Sequence, residues 1–204
     1  MFDATRIRIY PTEAQEQAGQ ATEAPKGEDR TGTTTVTKRS ASLIVRPTTL
    51  RAANDFVQAH HRHNGRTARD GGKFAIACES EGTIVGVAIV GNPISATYMD
   101  KEKFGYVAEV LRTCTVSSAP KGAVSFLYGA CTRVCREMGF DRLISYTLED
   151  ESGASLRGAG WRQTAFTKPC APGWRKNDHL DREFQEVMAF VKRRWECQLR
   201  HVGP

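Results

Sequence analysis

"SSAPKGAVSFLYGACTRVCREMGF", residues 117–140, decides the fold. Val124, Leu127, Tyr128, Cys131, Val134, Cys135 and Met138 recur at intervals of three and four, so they make one apolar stripe along a helix. Gly139 stands just past the last periodic residue, where a left-handed residue ends a helix. In front of the stripe, Pro120, Lys121 and Gly122 lead straight into the first turn. The unpaired N–H groups of such a turn, the positive end of the helix dipole and a glycine that lets backbone approach closely together suit a phosphate or pyrophosphate. Lys121 adds a fixed charge there. The same residues also read as a plain Pro/Gly turn that starts a helix.

Outward from this helix the signals alternate. "LIVRP" (43–47) is a short β-type run, and "TTLRAANDFVQAHH" (48–61) places Leu50, Ala53, Val57 and His60 at helical spacing. "KFAIACES" (73–80), the turn "EGT" and "IVGVAIVG" (84–91) read as an antiparallel hairpin, and "YVAEVLRTCTVSS" (106–118) is a further strand. After the helix come the buried strand "RLISYTL" (142–148), a short helix in "SGASLRGAG" and a strand in "WRQTAFTK". The order is β-α-β-β-β-α-β-α-β, an α/β (α+β) domain over residues 43–170. In the remaining segment, 171–204, Leu180, Phe184, Val187, Val191 and Trp195 fall at helical spacing behind Asp178 as N-cap, which predicts an extra C-terminal helix.

Residues 1–42 contrast with this. The stretch "TEAQEQAGQATEAPKGEDRTGTTTVTKRSA" has almost no large apolar residue and mixes charges of both signs, so the expectation is a disordered tail. For all 204 residues, 40% apolar content is enough for one packed core. No run approaches a membrane span and the N-terminus carries no hydrophobic signal region, which points to the cytoplasm. The six cysteines, none in a CxxC pair, fit that compartment as free thiols. A net charge of +6 suits polyanionic partners without requiring one.

Three residue groups carry candidate chemistry. "AHHRHNG" (59–65) packs His60, His61 and His63 just past the first helix. No Asp, Glu or Cys nearby completes a set of three or four convergent ligands, so no metal is expected there. His60 sits on the apolar face, while His61 and His63 project further out. Glu109 and Arg112 share the strand "EVLRTC"; Glu109 is either a solvent-facing carboxylate or a base, and an arginine among apolar neighbours needs an anionic partner or a route to water. Ser125, in the first turn of the long helix, is placed to cap it or to touch phosphate.

The succession from Leu43 to about Lys168 resembles the GCN5-related N-acetyltransferase (GNAT) superfamily, in which the central strands splay apart to admit acetyl-CoA. The superfamily's pyrophosphate loop, R/Q-x-x-G-x-G/A, falls on "APKGAV" (119–124): Gly122 matches the middle glycine, while Ala119 and Val124 replace the usual flanking residues. "SGASLRGAGW" (152–161) is similar to the short helix that ends in a Gly-aromatic pair, with Leu156 where many members carry a tyrosine that protonates the departing thiolate. A narrower resemblance joins His60 and His61, "GNPIS" (91–95), "EVLRTC" (109–114), "PKGAVS" (120–125) and "LISYT" (143–147) into a series similar to the Mom family, GNAT-like phage enzymes that modify adenine in DNA, and to GNAT-like proteins of bacteria and prophages.

What the resemblance implies is an acyl-CoA-dependent N-acyltransferase. Acetyl-CoA would lie against Pro120, Lys121, Gly122, Ala123 and Ser125 and along the backbone of Cys114, Thr115 and Val116. Glu109, His60, His61, Arg112 and Tyr146 would form the catalytic side. The acceptor would be an amine of a small molecule, a protein or DNA; a catalytically idle binding protein of the same fold is the remaining expectation.

Overall fold

The computed structural model describes residues 42–61, 64–169 and 189–200. Seven strands form one sheet: β1 (Leu43–Pro47), β2 (Phe74–Ser80), β3 (Thr83–Gly91), β4 (Val107–Thr115), β5 (Arg142–Leu148), β6 (Arg162–Thr167) and β7 (Lys192–Gln198). They lie in the order β1-β2-β3-β4-β5-β7-β6. All neighbours are antiparallel except β4 and β5. Among the described residues four helices accompany them: α1 (Leu50–His60), α2 (Lys101–Phe104), α3 (Ala123–Glu137) and α4 (Ala154–Gly158). Every element expected between residues 43 and 168 is present, and α2, with the 3-10 turn Ala96–Met99 before it, is an addition to the pattern.

The two faces of the sheet are covered differently. On one, α3 and α4 set Leu127, Tyr128, Cys131, Cys135 and Leu156 against Ile76, Ala88, Val90, Val110 and Leu143. On the other, α1 sets Ala53 and Val57 on Ala75, Ala77, Val87, Ile89 and Cys114, and Tyr98 and Phe104 cover Val107, Ile144 and Tyr146. The α3 stripe is buried at Leu127, Tyr128, Cys131 and Cys135, while Met138 at its last position is exposed, and Gly139 ends the helix at φ 82°.

The C-terminal helix is a correction. Leu180, Phe184 and Val187 lie outside the described residues, as does the tail 1–41, but the last part of the expected helix is strand β7. Val191 and Trp195, four apart, fit a helix by spacing alone; what decides is pairing. β7 lies between β5 and β6 and pairs with both, so neither edge is left unsatisfied, and a period of two governs it. Trp195 points into the α3 side, with Nε1–H donating to Thr147 Oγ1 at 3.0 Å, while Arg194 and Glu196 face the other side as an ion pair at 3.0 Å.

The loop after α1 is held by polar contacts. Thr49 caps α1 by accepting from Ala52 N–H at 3.1 Å. Buried Asn54 donates to Leu50 O and accepts from Thr67 N–H at 2.7 Å, pinning the returning chain to the helix. Arg66 pairs with Asp70 at 2.8 Å and with Asp55 at 2.5 Å. These contacts fix the segment that carries His61, Asn64 and Gly65.

Candidate functional site

β4 and β5 pair only over Val107–Glu109 and Arg142–Ile144. Beyond those three residues the strands part, and a cleft of ≈ 950 Å³ opens between them, reaching from His60 and His61 on one face to the β4–α3 loop and the α4 entry on the other. Ser145 closes its floor, with Oγ–H donating to Val110 O at 3.2 Å.

The wall on the α3 side is formed by the β4–α3 loop and the first turn of α3. Ser117, Ala119, Pro120, Lys121, Gly122, Ala123 and Val124 line it. Gly122 is the N-cap of α3 at φ 92°, and no side chain caps the helix. The first-turn N–H groups therefore lack the side-chain acceptor that most helices provide. A Cβ built on Gly122 meets nothing within 4 Å, so it is the left-handed backbone that calls for glycine here, and the space in front of it is open to the cleft. Across the opening, Gly153 (φ 65°) starts α4 with the Trp195 ring packed where a side chain would project.

Two expectations on this wall are corrected. Ser125 neither caps α3 nor lines the cleft; it lies against α4, where a Cβ on Gly158 would come within 3.1 Å of its Oγ. Cys114, Thr115 and Val116 all line the cleft, but not equally. Val116 N–H donates to Val85 O on β3 at 2.9 Å, and successive residues of a strand present their main chain to opposite edges. Thr115 is therefore the one of the three whose main chain turns to the open edge. The Cys114 side chain belongs to the α1 core, and burial pushes its thiol up to about 11.

The opposite wall is built of side chains. A bulge makes it possible: Ile89 pairs with Arg112 while Val90 pairs with Val110, leaving Leu111 as the extra residue on β4. Glu109 and Arg112 are three apart and would point to opposite faces of a regular strand; the bulge brings both to the α1 face. Glu109 is 3% exposed and accepts a hydrogen bond from Ile94 N–H at 2.8 Å, in the "GNPIS" loop. Burial pushes its carboxyl up to about 7, against the pull of that hydrogen bond and of the Arg112 and Lys192 charges. It is thus not the solvent-facing carboxylate that an unpaired strand would give. Arg112 is also buried, donating from Nε to Gly65 O at 2.9 Å and from Nη1 to Leu111 O at 2.7 Å. Burial lowers its pKa and Glu109 opposes the shift. One guanidinium so ties the bulge to the loop behind α1.

Tyr146, on β5 across the splay, lines the same cleft half-buried beside Tyr98. Burial raises its phenol, and the Glu109 charge adds to the shift, so the group stays protonated. His60 and His61 both line the cleft. His60 is exposed, its ring 4.6 Å from Phe56, which corrects the reading of it as an apolar-face residue. His61 ends α1, and its Nδ1 accepts from Asn64 N–H at 3.2 Å. With that lone pair engaged, a neutral ring carries its proton on Nε2. His63 lies outside the described residues. Leu156, 1% exposed, is part of the α3–α4 core.

Sequence reasoning missed Lys192, which opens β7 and lines the cleft on the Glu109 side. The alternation in "KRRWECQ" was its signal, hidden by the helical reading.

No protein-family model and no curated protein sequence matches the chain. Solved structures do. The ribosomal-protein-S18-alanine N-acetyltransferase of Escherichia coli superposes with a TM-score of 0.54 at 10% identity, over 79% of this chain and 97% of that one. A Salmonella typhimurium protein solved with its cofactor acetyl-CoA gives 0.55 at 14% identity, over 79% and 97%. The Drosophila melanogaster polyamine N-acetyltransferase gives 0.53 at 12% identity, over 77% and 100%. With its parallel β4–β5 pair splayed inside a mixed seven-stranded sheet, the chain has the fold of the GNAT acetyltransferases.

Proposed function

We propose that the protein transfers an acyl group from acetyl-CoA, or a related acyl-CoA, to an amine. One observation carries this: a single cleft joins an uncapped helix start led by a left-handed glycine to a buried carboxylate whose pKa is pushed to about 7. The residues present fit the donor. The first turn of α3 and Lys121 suit its phosphates, and the open edge of β4 around Thr115 suits an amide-bearing arm. Bound there, acyl-CoA supplies a thioester as the acyl donor.

The chain's own groups supply the rest. Glu109, ionised above about pH 7, takes a proton from the attacking amine. Its hydrogen bond from Ile94 N–H orients it without using both carboxylate oxygens. Arg112 holds the bulge and the His61 loop in register with Glu109. Leu156 offers no proton, so donation to the departing sulfur falls to Tyr146 or to His61 through Nε2–H.

Isothermal titration with acetyl-CoA, followed by a screen of amines for thiol release, tests the proposal. Binding without turnover on any amine would instead support the idle binding protein, for which the buried Leu156 is the favouring observation. Modification of adenine in DNA is a second reading, favoured by the Lys192, Arg193 and Arg194 run beside the cleft with Arg162 on the adjoining strand. Mass spectrometry of nucleosides from DNA of cells expressing the protein tests it.

A further inference from the structure

We propose that Tyr128, at the floor of the cleft on its α3 side, is a catalytic residue whose hydroxyl donates a hydrogen bond to the negative charge developing on the thioester carbonyl oxygen. This rests on the acyltransferase reading and adds a residue to it. Sheet alternation places the group. On β4, Arg112 reaches the loop behind α1 and Cys114 packs with α1, so Thr113 between them faces α3. On β5, Leu143 packs in the α3 core and Ile144 with Tyr98, so Ser145 returns to the α3 side. Thr113 and Ser145 therefore stand on the two parted strands, with Tyr128 of α3 beside both, and all three line the cleft.

The protons at this floor can be followed. Ser145 Oγ–H donates to Val110 O at 3.2 Å, so toward Tyr128 the serine can only accept. Thr113 Oγ1 is buried and has no hydrogen-bond partner of good geometry. Burial raises the Tyr128 phenol against the pull of both hydroxyls, so it stays protonated. Its O–H can turn from Ser145 to a ligand oxygen while Thr113 donates to Oη behind it, which strengthens the bond. The ring is already fixed: it meets Trp161 edge-on with centroids 5.3 Å apart, Trp161 Nε1–H donates to Thr132 Oγ1 at 3.2 Å, and Thr132 donates to Tyr128 O at 2.9 Å. A donor held in this way need not reorganise as charge appears. An acyl-CoA arm laid along β4 from Thr115 toward Glu109 passes Thr113, between the carboxylate on the α1 side and the phenol on the α3 side. Tyr128 meets the electron pair that moves onto the carbonyl oxygen as the amine nitrogen bonds to carbon, and Glu109 takes the N–H proton. When the C–S bond breaks, its pair leaves with sulfur, which is protonated from Tyr146 or His61; Tyr128 keeps its own proton throughout.

The test is infrared difference spectroscopy of acetyl-CoA, isotopically labelled at the thioester carbonyl and bound to the full chain. The bound carbonyl should absorb at lower frequency than the free ligand. Tyr128→Phe, which keeps the ring on Trp161, should return the band toward the free position with acetyl-CoA affinity nearly unchanged, and should lower turnover on an amine by about 10²- to 10³-fold. Tyr146→Phe should leave the lowered frequency in place. Fluorotyrosine at position 128, a stronger donor of the same shape, should lower the frequency further, and it serves where the Phe protein does not fold. An unshifted carbonyl in the parent, a shift that survives in Tyr128→Phe, or a fluorotyrosine protein with the parent's frequency overturns the assignment and leaves the carbonyl to the main chain of β4. A parent that binds no acetyl-CoA would instead sink the acyltransferase reading, and this assignment with it.

Discussion

The two walls of the cleft differ in what they are made of. Toward α3 the wall offers main-chain groups: a left-handed glycine, a helix turn with no side-chain cap and the open edge of a strand. Toward α1 it is side chain: Glu109, Arg112, Tyr146, the histidines and Lys192, drawn from four separate parts of the chain. A backbone wall binds one kind of ligand whatever side chains surround it, so it suits the constant partner of a reaction. A side-chain wall is adjustable, and suits the partner that distinguishes one enzyme from another. Substitutions should therefore split into those that change chemistry and those that change donor binding.

The largest effect is expected at Glu109. Glu109→Gln should lower turnover on the best amine acceptor by about 10²- to 10⁴-fold while leaving acetyl-CoA affinity nearly unchanged. In the unsubstituted protein, log kcat/KM should climb as pH rises to about 7 and then level off, as the carboxyl ionises. A flat profile across that range, or a fully active Gln variant, would remove Glu109 from the chemistry. Next comes His61: His61→Gln should reduce turnover about 10²-fold, with donor affinity preserved, and His60, exposed on Phe56, should matter less. Full turnover in both histidine variants would make the cluster structural.

Glu109 also makes a stability prediction with a definite sign. Its folded pKa of about 7 lies above the ordinary value of 4.5, so the folded chain holds the extra proton between those values. Its contribution to stability is complete below about pH 4.5 and is lost as pH rises to 7, a difference on the order of 3 kcal/mol. Relative to the parent, Glu109→Gln should melt higher at pH 8 and gain least near pH 4.5; thermal melts at the two pH values check it. A variant that loses activity yet gains stability is what a functional, rather than structural, carboxylate predicts. The smallest effect should follow removal of residues 1–39. A chain starting near Ser40 should keep its melting temperature, and a large drop would mean that the tail packs on the domain.

The same division governs what the sequence made legible. The backbone wall could be read because its signals are local: a 3.6-residue stripe, a Pro-Lys-Gly start and a terminal glycine lie within 24 consecutive residues. Glu109 and Arg112 stood out as residue types, but their shared face depends on the bulge at Leu111, which is set by pairing with β3. Glu109 is buried by a loop 15 residues upstream, and Arg112 is tethered to Gly65, 47 residues away. No local pattern encodes such contacts. β7 was misread for a related reason: Val191 and Trp195 satisfy a helical period over too short a span to exclude a strand, and only the vacancy between β5 and β6 decides between them.

The central claim is that this splayed cleft receives an acyl-CoA with its phosphates at the start of α3. Isothermal titration of acetyl-CoA into the parent protein and into Gly122→Val tests it most directly. The parent should bind one equivalent. In the variant a β-branched side chain must adopt φ 92° and fill the space the phosphates approach, so affinity should fall at least tenfold, about 1.4 kcal/mol or more. No binding to the parent, or unchanged affinity in a Gly122→Val protein shown by circular dichroism to be folded, would contradict the account.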